Sequence, residues 1–434
     1  MTTAHLIPRF CIVGGGSSGL AVAKNFLEQG IEFDCFERED DIGGNWYYGT
    51  PASSVYQSTH LISSKQLTEY TDYPMPVDYP EFPSHEQALA YLRSYARAFR
   101  LYDHIQFGHA VTRLEPVAGG WQVTIDGCKS LEYAGVVIAN GHNWDPKLPD
   151  YPGTFAGLAL HSSQYKTPEC LIGKRVLVVG AGNSGCDIAV EAAQSAAATF
   201  HSTRRGYHYL PKFLLGKPID RCGERLLRWR LPLWLRRAIT SRMVKLSLGR
   251  PEDYGLPAAD HRLFETHPII NSQMLYFVGH GKIHPKPDIA MLEGATVRFI
   301  DASVEHVDVI IYATGFRITF PFIDKEHLNW DGSAPRLHLN IFHPEHERLF
   351  VAGLIQPDSG QWGLVDYQAR LIAHYLRVLE ILPERAARFR RRLARHCDLG
   401  AGIRYLPSSR HLLEVEHYSY RNRLRKLIAE LGSV

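Results

Sequence analysis

Phe10-Cys11-Ile12-Val13-Gly14-Gly15-Gly16-Ser17-Ser18-Gly19-Leu20 joins a short apolar run to a helix-forming stretch through closely spaced glycines. Phe10 to Val13 reads as a buried strand, and Ala21 to Gln29 as a helix stopped by Gly30. Gly14, Gly16 and Gly19 have the G-x-G-x-x-G spacing of a dinucleotide site. Gly14 permits the tight turn out of the strand, Gly16 lets a pyrophosphate approach the backbone, and Gly19 lets helix and strand pack closely. The free N–H groups and positive end of the helix then face the phosphates. A second apolar run, Ile31 to Phe36, ends at Glu37, 23 residues after Gly14, where a carboxylate binds ribose hydroxyls. The glycines alone would also fit a glycine-rich loop in another α/β fold. Strand, helix, second strand and terminal acid together favour the nucleotide.

The pattern recurs. Lys174 to Val179 reads as a buried parallel strand, Gly180-Ala181-Gly182-Asn183-Ser184-Gly185 repeats the spacing, and Asp187 to Ala197 continues as a helix. Two such sites call for two nucleotide cofactors exchanging electrons. The sites differ at the ribose end. Twenty-three residues after Gly180 stands Thr203, flanked by Ser202, Arg204 and Arg205. Hydroxyl and guanidinium groups there would bind a 2′-phosphate that an acid would repel. The first site is therefore read as FAD and the second as NADPH, with a solvated loop as the alternative account of the arginines.

Between and beyond these units the chain punctuates itself. Asp41-Ile42-Gly43-Gly44-Asn45-Trp46 is a loop against which a flat ring would lie. Pro74 to Pro83 is an ordered surface loop. Ser84 and Gln87 have capping-box spacing before a helix from about His85 to Phe99. Ala110 to Glu115 and Trp121 to Ile125 alternate around Gly119-Gly120, and Asp126-Gly127 marks a further turn, giving a small β-meander. Arg221 to Arg250 is basic and interleaved with leucine and tryptophan. It reads as a helical insertion packed on the nucleotide domain, with a substrate lid or membrane-surface helix as the alternative. Pro232 breaks any single long helix there. Val307 to Phe316 and Leu349 to Ala352 return to apolar strand before a helix containing Gln368 and Arg370. The basic run Arg388 to Arg395 reads as a solvated helix face.

A chain of 434 residues with 45% hydrophobic and 21% charged content is an ordinary globular protein of two or three domains. A net charge of +3 makes no case for nucleic acid. Seven cysteines without a C-x-x-C pair argue against a zinc site or a disulfide framework, so no metal is expected and a reducing cytoplasm fits. The first strand starts about ten residues from Met1, too early for a signal peptide, and no apolar run approaches the ~20 residues of a membrane helix.

Phe155-Ala156-Gly157-Leu158-Ala159-Leu160-His161-Ser162-Ser163-Gln164-Tyr165 matches F-x-G-x-x-x-H-x-x-x-Y and lies between the two fingerprints. With Gly43-Gly44-Asn45-Trp46, Asn183-Ser184-Gly185-Cys186-Asp187, Ala313-Thr314-Gly315-Phe316, and Gln356 with Gln368 and Arg370, it resembles the flavin-containing monooxygenases over nearly the whole chain. Tyr165 stands where the related Baeyer–Villiger signature would place tryptophan, which favours oxidation of amines and sulfides. The resemblance implies an α/β fold of two Rossmann-like dinucleotide-binding domains, the NADP domain inserted in the FAD domain. The domains are expected at 1–168 (FAD, first part), 169–304 (NADP, with the insertion at about 207–260) and 305–434 (FAD, second part, and C-terminal helices). It implies reduction of FAD by NADPH, reaction with O₂ to a C4a-hydroperoxyflavin, and attack by a nitrogen or sulfur nucleophile of a small-molecule substrate.

The resemblance places Ser17, Ser18, Glu37, Asn45, Trp46 and Ser63 at FAD, with Val111 near adenine. Ser184, Gly185 and Arg204 fall at NADP. Where the family usually has an asparagine beside the flavin, this chain has Ile62, whose side chain carries no donor or acceptor. His60 and Ser63 are the polar candidates nearby. Baeyer–Villiger oxidation, or an NADPH oxidase or redox-state binding protein without oxygenation, are the alternatives. Peripheral membrane contact through the basic insertion and a homodimer complete the expectations.

Overall fold

The computed structural model describes residues 9–394 and 398–432. Residues 1–8, on which the expectation about a leader rests, and Arg395 at the end of the basic run lie outside them. β1 (Phe10–Val13), α1 (Ser17–Glu28) and β2 (Phe33–Glu37) form the first β-α-β unit, followed by α2 (His85–Ala98) and β3 (Ile105–Phe107). The meander is three antiparallel strands, β4 (Val111–Val117), β5 (Gly120–Ile125) and β6 (Lys129–Tyr133); β7 (Gly135–Ile138) then returns to the first sheet. β8 (Leu158–His161), β9 (Arg175–Val179), α3 (Asn183–Ser195) and β10 (Ala198–Ser202) build the second unit. The basic insertion folds as α4 (Ile219–Arg228) and α5 (Leu233–Leu248), with Pro232 at the break between them. β11 (Ile283–Lys286), β12 (Val309–Tyr312), β13 (Leu349–Val351), α6 (Trp362–Ile381), α7 (Pro383–Leu393) and α8 (His417–Leu431) follow, with shorter strands and helices between them.

Two five-stranded parallel sheets result, in the orders β13-β7-β1-β2-β3 and β8-β12-β9-β10-β11. The central strands are apolar, β1 throughout and β9 from Val176 onward, because both faces are covered. Phe10 and Ile12 face α1 and α6, packing with Leu20, Val365 and Ile372. Cys11 and Val13 face the meander, packing with Trp121 and Val123. In the second sheet Val176 and Val178 meet Ile188 and Ala189 of α3, while Leu177 and Val179 meet Val297 and Phe299.

The differences from the sequence reading have local causes. α1 and α3 start earlier than expected, at Ser17 and Asn183, because extended Gly16 and Gly182 serve as N-caps. β2 starts later, at Phe33, because the Ile31 N–H bonds back to the Phe26 carbonyl at 2.9 Å. Ser84 and Gln87 form the reciprocal capping box of α2. β8 and β12 pair in the second sheet, so that sheet draws strands from both sides of residues 169–304. The insertion also reaches the other unit: Asp220 of α4 accepts hydrogen bonds from the Ser64 N–H and the Ser359 hydroxyl.

Candidate active site

The first fingerprint is assembled around the start of α1. Gly14 leaves β1 at φ +104, its N–H donating to the Phe36 carbonyl at 2.8 Å. A Cβ on Gly19 would collide with the Gly14 carbonyl oxygen, so the helix packs on the turn only as glycine. Gly16 faces Gly44 across a gap with no side chain, and the α1 cap carries no side-chain acceptor. The N–H groups of Ser17 and Ser18 therefore begin a bare positive end.

Glu37 is 5% exposed. One carboxylate oxygen accepts from the Gly15 N–H at 2.6 Å and the other from the Glu39 N–H at 3.0 Å. Burial raises its pKa above the usual carboxylate range, against the opposing pull of those two bonds. The Glu37 carbonyl accepts from the His109 N–H, which brings Val111 close to the same end of the site. On the other side, the Asn45 side chain accepts from the Ser54 N–H and hydroxyl at 2.8 and 2.6 Å. Trp46 meets Trp362 edge-on, with ring centroids 5.6 Å apart.

The second fingerprint repeats the construction. Gly180 has φ +114 and its N–H donates to the Ser202 carbonyl at 3.0 Å; a Cβ on Gly185 would collide with the Gly180 carbonyl oxygen. Gly182 caps α3 without a side-chain acceptor, and α3 has no acid in its first turn. Asn183 is fixed by the Ile270 N–H and the Pro268 carbonyl at 2.8 and 3.1 Å. Thr203 is buried; Arg204 is exposed with no ion pair among the described residues, and Arg205 pairs with Asp260 at 3.4 Å.

The two fingerprints are linked by the stretch from Ser53 to Thr68. Lys166 donates to the Ser53 and Val55 carbonyls at 2.6 and 3.1 Å. The buried Tyr56 hydroxyl lies beside Ser184 at the start of α3, and its ring packs on Tyr165 at 5.7 Å. Tyr165 donates to Glu191 of α3 at 2.6 Å. His161 bonds the Gly315 carbonyl at 3.0 Å through Nε2 and Ser163 at 2.9 Å through Nδ1. Burial pushes its pKa down, so the ring is neutral and fastens β8 to the turn after β12. The signature histidine and tyrosine thus join the second unit to the turn after β12 and to the Tyr56 stretch.

The candidates nearest Ile62 diverge. Ile62 is half-buried. Ser63 is buried and its hydroxyl bonds Thr68 at 2.8 Å, which ties it locally. His60 is exposed, with Nδ1 2.8 Å from the Ser58 carbonyl. It is near enough to Asp187 of α3 to pull that carboxyl down, along with Lys212 and the Asn271 bond at 2.6 Å, while burial dominates and raises it. Ser63 turns into the short helical turn that follows it. Tyr56, Asp187 and Asp220 were missed by sequence reasoning. Each meets a residue distant in sequence, Asp187 meeting Asn271 84 positions on, so spacing carried no signal; only the Asn183-Ser184-Gly185-Cys186-Asp187 match touched one of them.

Both glycine turns pass the test of fit for their cofactors. Each offers an uncapped helix start and a side-chain-free approach for a pyrophosphate. The first adds a buried acid for ribose hydroxyls, the second an unpaired arginine for a 2′-phosphate.

Residues 8–428 match the family model described as flavin-binding monooxygenase-like. Flavin-containing monooxygenase 5 of Rattus norvegicus is 33% identical, the match covering 97% of this chain and 82% of the relative. Dimethylaniline monooxygenase [N-oxide-forming] 2 of Oryctolagus cuniculus is 32% identical over 87% of this chain and 75% of its own length. Among solved structures, the open crystal structure of cyclohexanone monooxygenase superposes with a TM-score of 0.74 at 18% identity, covering 98% of both chains. That last likeness concerns the fold.

Proposed function

Because the chain belongs to the flavin-binding monooxygenase-like family, we infer that this FAD- and NADPH-dependent monooxygenase uses O₂ to oxygenate a soft nitrogen or sulfur atom of a small organic substrate. Bound flavin supplies the oxygen-activating chemistry; the chain binds, orients and shelters it. In this reading Gly14, Gly16, Ser17, Ser18 and Gly19 hold the FAD pyrophosphate, Glu37 its ribose, and Asn45 and Trp46 its ring end, with Val111 by the adenine. Gly180, Gly182, Asn183, Ser184 and Gly185 hold the NADPH pyrophosphate, and Thr203 and Arg204 its 2′-phosphate. His60 and Ser63 supply polar groups near Ile62.

The observation that carries the nitrogen-or-sulfur reading is Tyr165, whose hydroxyl is committed to Glu191 at 2.6 Å at the position that separates the two signatures. The name of the rabbit relative, N-oxide-forming, supports the nitrogen half. Half-buried, apolar Ile62 favours a second reading, Baeyer–Villiger oxidation of a ketone. A screen of amines, sulfides and ketones, following NADPH loss with ¹⁸O₂ and measuring peroxide in parallel, separates them. ¹⁸O in an amine oxide or sulfoxide supports the proposal; ¹⁸O in an ester, or peroxide alone, overturns it.

The finer expectations belong to the same proposal. Exposed Trp229 and Trp234 on the arginine-rich insertion support peripheral membrane contact. No helix among the described residues is long and apolar enough to cross a membrane. Six unpaired cysteines among the described residues fit a cytoplasmic setting. A homodimer is retained as an expectation to be tested by sedimentation.

A further inference from the structure

Residues 398–416, ahead of α8, make contacts on both sides of the second unit's boundary. Glu414–Val415 pairs in parallel with Gln356–Pro357, and the Leu406 N–H donates to the Glu265 carbonyl at 2.9 Å. The Glu414 carboxylate lies 3.2 Å from His267 and 3.4 Å from His411. Burial works to raise that carboxyl, but the two imidazoles hold it below the ordinary range. Pro268, next to His267, accepts from the side chain of Asn183, the first residue of α3. The stretch carrying Arg410 and the start of α3 are therefore fixed to the same few residues, 267–270.

Arg410 leans from this anchor toward the second glycine turn. Its guanidinium lies over the Tyr207 ring, 5.8 Å from the centroid. Its Nη2 lies 3.8 Å from the point a Cβ on Gly182 would occupy. Its charge opposes the burial that raises the Cys186 thiol, one turn into α3. Arg410 has no ion pair or hydrogen-bond partner among the described residues. Gly182 caps a helix whose first turn has no acid. A guanidinium and a helix N-terminus repel each other, and the arrangement becomes favourable once an anion lies between them.

We propose that Arg410 is a cofactor-binding residue, closing the second fingerprint from the C-terminal side and taking a pyrophosphate oxygen of NADPH. The proposal rests on the assignment of NADPH to that fingerprint. It divides the cofactor between two arginines. Arg204 reads the 2′-phosphate, which NADPH alone carries; Arg410 holds the pyrophosphate, which NADPH and NADH share.

The test is isothermal titration of the FAD-loaded, oxidised enzyme with NADP⁺ and with NAD⁺, alongside FAD content and melting temperature. Arg410→Ala should weaken both ligands by a similar factor, about tenfold or more. Arg410→Lys should recover part of both affinities. Arg204→Ala should weaken NADP⁺ alone. Unchanged affinities in Arg410→Ala overturn the proposal. A loss confined to NADP⁺ overturns it too, because Arg410 would then be reading the 2′-phosphate. Equal losses in the Ala and Lys variants, with a lowered melting temperature, reduce Arg410 to a packing role and overturn it as well. Wild-type enzyme that holds FAD but binds NADP⁺ no better when Gly182 and Ser184 are intact than in Gly185→Val overturns the assignment beneath it.

Discussion

The Ser64 N–H donates to a carboxylate oxygen of Asp220 at 2.7 Å, so the first turn of the basic insertion holds the residue that follows Ile62 and Ser63. Asp220 also accepts from the Ser359 hydroxyl at 3.2 Å. Asp220→Ala leaves a buried N–H without its acceptor, at a cost of about 1–3 kcal/mol, and frees α4 from the Ile62 stretch. The expected result is a larger share of oxygen lost as peroxide, with FAD retained; Asp220→Asn, which keeps an acceptor, should recover most of the coupling. Peroxide and product measured together decide it: an unchanged ratio in the Ala variant means that the insertion does not govern the site.

Arg204→Ala should raise the KM for NADPH about 10–100-fold, the worth of a charge-assisted hydrogen bond, and leave NADH nearly unaffected. Steady-state kinetics with both cofactors give the comparison. Equal loss for both would assign Arg204 to something other than the 2′-phosphate.

Ile62→Asn places an amide where the chain has a hydrocarbon. If that amide serves the oxygen-bearing state, one added bond of ~1 kcal/mol should cut peroxide leakage several-fold. A rise in leakage would mean that the pocket is built around isoleucine. His60→Ala is the companion variant: a loss of coupling there alone would give the polar role to the histidine.

His201 lies beneath the second fingerprint, 1% exposed, with Nε2 3.0 Å from the Gly180 carbonyl. Burial lowers its pKa to about 4. The unfolded chain takes up a proton near pH 6.5 that the folded chain refuses until about pH 4, so this contribution is fully present above pH 6.5 and shrinks as pH falls. His343 and His417, also lowered to about 4 by burial, act in the same direction. Melting temperature should fall between pH 6.5 and pH 4, and His201→Gln should fall less steeply over that window despite a lower value at pH 7. Parallel curves for the two proteins would remove His201 from the account.

The glycine turns were legible because their logic is local: Gly14 with Gly19, and Gly180 with Gly185, meet within one turn of chain. Pro232 and the Ser84–Gln87 box announced themselves for the same reason. The sheet to which Val309–Tyr312 belongs was not legible. A strand buried on both faces is apolar in either sheet, and only pairing with Arg175–Val179 decides. Tyr56 and Asp220 escaped because each meets a residue distant in sequence, Arg410 because it lies over Tyr207 and beside Gly182, about two hundred positions away, and none stands at a recurring interval.

The strand order of the first sheet has a consequence for synthesis. β7 sits beside β1 and awaits β13 on its other edge, while every strand of the second sheet has been made by Tyr312. A nascent chain leaving the ribosome N-terminus first can therefore complete the second sheet while the first still exposes the raw edge of β7. Gly353, which lies against Ser18 at the head of α1, and Gln368, which receives the Gly353 N–H, are translated later still. The flavin grip, first in the sequence, is finished only after the second sheet is complete.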